Sequence, residues 1–197
     1  METRSKMKHK IVTGITGASG MIYAYRFIEK LKQSECVEEI NIVFSLNAKK
    51  NWESEIKKPI PVTNSKITVY EDNDFSSSLS SGSSLITSMV IVPSSMGTVG
   101  RIANGVSDSL LTRCADVMLK ERRKLIFVVR ETPYNLLHLK NMKQLTLAGA
   151  IICPATPSFY NNPQTVEDVV DTVVDRVIDL LGIPNETFRW GENKENF

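Results

Sequence analysis

From Lys10 onward, short apolar and β-branched runs alternate with longer segments whose apolar positions recur every three or four residues. The runs Lys10–Gly14, Glu39–Ser45, Ser88–Val92, Lys124–Arg130 and Ala150–Cys153 predict strands, with a shorter one at Ile67–Tyr70. Between them Ala24, Phe27, Ile28 and Leu31 fall at i, i+3, i+4 and i+7, and Val99, Ile102, Ala103 and Val106 repeat that spacing. Each set marks one helix face laid on a sheet. The last helix is the most explicit: Val166, Val169, Val170, Val173, Val174, Val177, Ile178 and Leu181 form one apolar stripe with Asp and Arg on the other face. Thr165 with Asp168 resembles a capping box at its start, and Gly182 followed by Pro184 stops it. So many β-branched residues are poor helix formers, so packing on a sheet must hold this helix. Strands alternating with helices predict an α/β chain, a Rossmann-like three-layer fold with a mostly parallel sheet covered by helices.

At 197 residues the chain has the length of one compact domain, placed at 10–184 between a flexible basic tail (1–9) and a polar C-terminal tail (185–197) that carries Trp190. The serine-rich stretch Ser76–Ser84 reads as a flexible loop on composition. A formal charge of +2 with scattered basic residues argues against nucleic acid, and no apolar run is long enough to span a membrane. The first ten residues lack the apolar core of a secretory signal, so the expected location is cytoplasmic. Cys36, Cys114 and Cys153 are odd in number and lie in apolar contexts, which reads as buried free thiols rather than a disulfide framework. With only His9 and His138 and no clustered ligands, no metal site is expected.

In open α/β sheets ligands bind beyond the carboxyl ends of the strands, so the loops after strands are where function is sought. After the first strand, Thr16-Gly17-Ala18-Ser19-Gly20 leads into a helix; its small residues and free N–H groups suit an anion or a flavin edge, or else serve only a tight turn. The spacing Gly14, Gly17, Gly20 is not G-x-G-x-x-G, and the second strand ends in Ser45 where a ribose-binding carboxylate would stand. Both points favour a mononucleotide over NAD. After the strand at 88–92, Pro93-Ser94-Ser95-Met96-Gly97-Thr98 offers hydroxyls beside amides at a helix start, one of which can be simply an N-cap. The strand at 124–130 delivers Arg130 and Glu131 together, as ligand contacts or as an ion pair closing the strand. After the last strand, Pro154 and Pro157 stiffen a loop that presents Tyr160.

The run from Gly105 through Arg113 and Lys120 to Arg123, followed by Arg130-Glu131-Thr132-Pro133 and by Phe159-Tyr160 with Pro163-Gln164-Thr165, resembles the flavin prenyltransferase family, formerly labelled aromatic acid decarboxylases. The resemblance extends from Ile11 to about Trp190. It implies that reduced flavin mononucleotide (FMN) is alkylated by dimethylallyl monophosphate, closing a fourth, non-aromatic ring and giving the prenylated flavin that a partner decarboxylase uses. Carried over by position, it implies flavin contacts from Gly17, Ala18, Ser19, Ser45, Ser95, Met96, Gly97, Thr98 and Arg130. Prenyl phosphate falls to Tyr160, Arg176 and Lys120, with Ser81 in a small-residue loop over the site and Trp190 nearby. Ser19, Arg113, Lys120 and Glu131 stand at the reacting groups, and Glu55 is a further carboxylate whose flanks depart from the family pattern. The resemblance also implies a homo-oligomer with sites near subunit interfaces.

These residue types suit a metal-independent transfer. A phosphate leaving an allylic carbon needs fixed positive charge on the leaving group and little water at the cation, which Lys120, Arg176 and the Tyr160 hydroxyl supply. Glu131 suits a proton shuttle, Ser19 an orienting contact to flavin, and Trp190 a face for the cation. Two other readings stay open: an FMN-dependent cysteine decarboxylase-like flavoprotein, and a flavin-binding subunit without chemistry. The first is disfavoured because the loop after the strand at 88–92 reads Pro-Ser-Ser-Met-Gly-Thr and neither histidine lies suitably.

Overall fold

A computed structural model describes residues 8–189 and 191. Its strands are β1 (His9–Ile15), β2 (Val37–Phe44), β3 (Ile67–Glu71), β4 (Ser88–Ser94), β5 (Lys124–Val129) and β6 (Ile151–Ile152). The helices are α1 (Met21–Gln33), α2 (Leu46–Glu55), α3 (Met96–Ala103), α4 (Leu110–Lys120), α5 (Leu136–Leu147) and α6 (Val166–Leu181), with a short 3₁₀ turn at Ser78–Ser80. The six strands form one sheet in the order β3-β2-β1-β4-β5-β6, and every pairing is parallel.

Strand alternation divides the core in two. Ile11, Ile15, Ile40, Ile42, Phe44, Val90, Val92, Ile126 and Val128 face α1, α2 and α6. Val12, Val43, Met89, Ile91, Leu125, Phe127 and Val129 face α3, α4 and α5. A sheet covered on both faces needs near-continuous apolar strands, which is why the strands read as unbroken runs. The α6 stripe packs as expected from Val170 onward, whereas Val166, at the first turn, is exposed. Thr165 and Asp168 form the reciprocal capping box, and Gly182 ends the helix with a φ of 83°, which suits glycine best.

Several expectations change. His9 belongs to β1, its N–H donating to the Cys36 carbonyl at 2.8 Å, so no flexible tail reaches that residue. The rest of the predicted basic tail, up to Met7, and Trp190 lie outside the described residues. Ser45 and Arg130 fall just past their strands, β6 shrinks to two residues, and Val106 lies beyond the end of α3 and is exposed. The serine-rich stretch is held rather than loose. Leu79 is buried in it, Arg113 Nε donates to the Ser80 carbonyl at 3.1 Å, and Arg123 Nη2 donates to that of Gly82 at 2.6 Å. Cys36 and Cys114 are buried thiols and Cys153 is half-buried. Among the described residues no helix is long and apolar enough to cross a membrane.

Helices α1 and α6 lie side by side on one face, joined by charge. Arg26 holds Asp171 through two bonds, Nε to Oδ1 at 2.8 Å and Nη2 to Oδ2 at 2.5 Å. Lys30 pairs with Asp171 at 3.1 Å and with Asp175. Burial acts to raise the Asp171 pKa, but the bonds from Arg26 and Lys30 outweigh it and hold the carboxyl below its usual range. The folded state therefore binds this proton more weakly than the unfolded chain. The stabilisation is present above the unfolded pKa of about 3.9 and is lost as pH falls through the lower folded value. Asp171→Asn is expected to cost about 1–3 kcal/mol at neutral pH. Urea unfolding of both chains checks this: the gap between their midpoints should persist to the ordinary carboxylate range and shrink only below it.

Candidate functional site

Strand order reverses between β1 and β4, since the chain steps outward from β1 to β3 on one side and from β4 to β6 on the other. The loops leaving these two strands diverge over opposite faces and leave a crevice between them, the place where such sheets take ligands. The loop after β1 carries Gly17, Ala18 and Ser19; Ser95 follows β4, and Met96, Gly97 and Thr98 form the first turn of α3. Ser45 follows β2 and Arg130 follows β5 on the same edge. The structure thus places every residue assigned to the flavin at the carboxyl edge of the sheet.

Each loop is shaped by its neighbours. Gly20 opens α1 with a φ of 103° and no side-chain cap of its own. Glu55, at the end of α2, supplies the cap: its Oε2 accepts from the Gly20 and Met21 N–H groups at 2.8 and 2.9 Å. Two of α1's free amides are therefore already taken by a carboxylate of the chain, and the anion expected at this helix start meets Glu55 there instead. One turn back on α2, Asn51 Nδ2 donates to the Gly17 carbonyl at 3.0 Å. One turn earlier again, a Cβ on Gly17 would stand 2.8 Å from the Cβ of Asn47, so only glycine fits the loop against α2. Ser45 caps α2, accepting from Ala48 N–H at 3.3 Å.

The start of α3 is different. Ser95 caps it, accepting from Thr98 N–H at 3.4 Å, and among the described residues no carboxylate engages the Met96 and Gly97 amides. Nothing lies within 4 Å of a Cβ built on Gly97. Helix-start amides without a partner from their own chain suit an acceptor from outside it. Beside them Arg130 Nε and Ser94 Oγ are buried without a hydrogen-bond partner among the described residues. A buried donor on a guanidinium is costly unless an acceptor meets it, so the crevice fits a polar planar ligand such as a flavin. The Arg130–Glu131 ion pair does not form. Glu131 instead accepts from Thr132 N–H at 3.1 Å, and its carboxyl stands at the strand edge.

A cavity of about 320 Å³ opens on the same edge and is lined by Cys153, Pro154, Ser158, Tyr160, Arg176 and Phe188 among others. Arg176 and Tyr160 are thereby brought together. Asp175 and Asp179 of α6 also line this cavity, but each carboxylate is held by another partner: Asp175 by Lys30 and by the Thr187 hydroxyl at 3.0 Å, Asp179 by Arg189 at 3.0 Å. Arg176 itself forms no ion pair among the described residues and retains its charge for the cavity. Burial pushes the Cys153 thiol pKa up, and the nearby Arg176 charge pulls it the other way.

Lys120, Arg113 and Ser81 are not brought to this crevice. Helix α4 runs back from the carboxyl edge and ends at Lys120, just before β5 begins at Lys124, so Lys120 lies at the amino edge. There it pairs with Glu121 at 2.5 Å, close against Gly82 of the serine loop. Ser81 lies in that loop, its hydroxyl 2.9 Å from that of Ser83. Arg113, near the start of α4, is turned to Ser80 and to Asp116 at 2.7 Å. These three form a second group on the surface of α4. Among the described residues no three His, Cys, Asp or Glu side chains are grouped to hold a metal ion.

Sequence reasoning missed the loop-holding roles of Asn51 and Glu55, because α2 carries only Ala48 and Trp52 as buried residues and shows no apolar stripe. Their spacing of one helical turn is the signal that was available.

Comparison with known proteins agrees with this geometry. The family model described as Flavoprotein matches residues 1–178. The flavin prenyltransferase UbiX of Methanocaldococcus jannaschii is 47% identical over 184 residues, covering 92% of this chain and 98% of that protein. The crystal structure of AnUbiX (PadA1) in complex with FMN and dimethylallyl pyrophosphate superposes with a TM-score of 0.84 at 36% identity, covering 93% of this chain and 99% of the other. A dodecameric FMN-dependent UbiX-like decarboxylase from Escherichia coli gives the same TM-score and identity over 92% of this chain and 98% of that one. With a crevice at the sheet's reversal point and relatives of this identity over nearly its whole length, the chain belongs to the flavoprotein family, among the flavin prenyltransferases.

Proposed function

We propose that the chain joins the dimethylallyl group of dimethylallyl monophosphate to reduced FMN, making the prenylated flavin for a partner decarboxylase. The observation that carries this reading is the cavity where Tyr160 meets Arg176, which has no ion pair among the described residues, on the same strand edge as the flavin loops. In the transfer the carbon–oxygen bond to phosphate breaks, the allylic carbon bonds to the flavin, and a second bond closes the new ring. Arg176 and Tyr160 stabilise the departing phosphate. Gly17 to Ser19, Ser45, Ser95 to Thr98 and Arg130 hold the flavin, with Arg130 Nε meeting an acceptor on it. Glu131 moves a proton as the ring closes, and Ser19 orients the flavin for attack.

Because Lys120, Arg113 and Ser81 lie away from their own chain's crevice, they act in this reading on the site of a neighbouring copy. Leu136, Leu137, Leu139 and Leu147 of α5, and Phe159, are exposed and supply apolar surface for such an assembly. The setting is the cytoplasm, in keeping with three unpaired thiols.

Incubating the protein anaerobically with reduced FMN and dimethylallyl monophosphate should raise the flavin mass by one prenyl unit; the same assay with the pyrophosphate decides donor preference. A flavin of unchanged mass with both donors would overturn the reading. Arg176→Ala removes a charge-assisted bond worth about 1.5–3 kcal/mol, so kcat/KM in prenyl phosphate should fall roughly tenfold to a hundredfold while FMN affinity holds. Arg130→Ala should do the reverse, and FMN titration beside steady-state kinetics separates the two. For the shared site, Lys120→Ala and Arg176→Ala chains should each be impaired alone by that order, yet regain activity when unfolded and reassembled together. Mixed assemblies without recovery would place Lys120 outside the neighbouring site.

A further inference from the structure

Thr16 follows β1 and is 1% exposed. Its hydroxyl donates to the Pro93 carbonyl at 2.8 Å and accepts from the Ser95 N–H at 2.8 Å, and its own N–H reaches the Pro93 carbonyl at 3.3 Å. The β1–β4 ladder ends at the pair Gly14 and Ile91. Beyond it, among the described residues, the hydrogen bonds between Thr16–Gly20 and Pro93–Thr98 are all made by Thr16. One buried side chain thus ties the two loops across the point where strand order reverses.

The consequences run outward from Ser95. Its backbone N–H is held by Thr16 while its own hydroxyl is committed to Thr98 at the start of α3. The position of α3's open amides therefore depends on the Thr16 hydroxyl. On the other side, Gly17 follows Thr16 directly and is fixed from outside by Asn51. Among the described residues, the hydrogen bonds that join the two flavin loops directly are those of Thr16.

We propose that Thr16 is a positioning residue for the flavin: it sets the spacing of the Gly17–Ser19 and Ser95–Thr98 loops and thereby the affinity for FMN. The inference rests on the prenyltransferase reading. Valine has the shape of threonine but its side chain neither donates nor accepts, so Thr16→Val removes both hydroxyl bonds between the loops, keeps only the backbone N–H bond to Pro93, and leaves the Ser95 N–H without its acceptor. Tyr160 and Arg176 belong to the β6 loop and to α6 and do not depend on this contact.

The test is FMN titration, thermal midpoint and kinetics in dimethylallyl monophosphate at saturating FMN, for the wild-type, Thr16→Val and Thr16→Ser proteins. Thr16→Val should weaken FMN binding by about tenfold to a hundredfold. Its KM for prenyl phosphate should stay unchanged, and Thr16→Ser should restore FMN affinity. If wild-type protein binds FMN and Thr16→Val binds it equally well, the inference fails while the prenyltransferase reading stands. Parallel losses in FMN affinity and prenyl phosphate KM that track the thermal midpoint, without rescue by serine, would reduce Thr16 to a role in folding. Wild-type protein that takes up no FMN would sink the underlying reading, and the inference with it. Should the valine chain not fold, Thr16→Cys, a weak donor and acceptor, should show the same order of effects. Failure of both chains to fold would assign the hydroxyl to the fold and overturn the proposal.

Discussion

Six strands that all run the same way force every connection to cross back over a face of the sheet, because parallel neighbours cannot be joined by a hairpin. Each strand therefore leaves the sheet at the carboxyl edge, and those that feed helices place the helix N-termini there. The chain fills one side of β1 first and then returns to start β4 on the other, so the loops after β1 and β4 part company over opposite faces. The crevice is a product of that topology, not of any single residue. What the residues decide is which polar groups are left uncommitted inside it.

That edge is sorted by occupancy. The start of α1 is satisfied by Glu55 and that of α2 by Ser45, while α3 keeps its first two amides open. The same sorting operates on α6, where Asp175 and Asp179 flank Arg176 in the sequence. Were either carboxylate free to pair with Arg176, the cavity would present little net charge to a phosphate. Lys30, Thr187 and Arg189 hold these carboxylates instead, so the α1–α6 contact that stabilises the fold also leaves the Arg176 charge exposed to the cavity.

The strands were legible because burial on both faces leaves continuous β-branched runs, and α6 because it combines a stripe, a cap and a glycine stop. Helices α2 and α5 were not. In α5 only Leu145 is buried while Leu136, Leu137, Leu139 and Leu147 face outward, so no apolar face distinguishes one side from the other. The flavin loops could be located from the rule that ligands sit beyond strand ends, and the resemblance named their residues. Asn51 and the capping role of Glu55, which the resemblance named only as a further carboxylate, escaped because they act from a helix that has no readable period. Thr16 escaped for another reason: a threonine that ends a strand looks the same in sequence whether its hydroxyl is idle or joins two loops.

Two groups of cationic side chains sit at opposite ends of α4 and the sheet, and their separation carries an argument about assembly. Arg176 and Arg130 stand at the carboxyl edge, whereas Lys120 ends α4 at the amino edge beside Arg123 and the serine loop. A rigid sheet with both faces packed cannot fold back to join them, since that would break the core of Leu111, Val117, Met118 and Phe127 that fixes α4 in place. If Lys120 and Ser81 serve the prenyl phosphate, a second copy must present its α4 surface to the first copy's carboxyl edge. The exposed leucines of α5 fit that requirement, because an outward apolar face is otherwise unfavourable in water and is relieved by contact with another chain. On this reading assembly completes the site: it brings the second cation to the phosphate and covers apolar surface in one step.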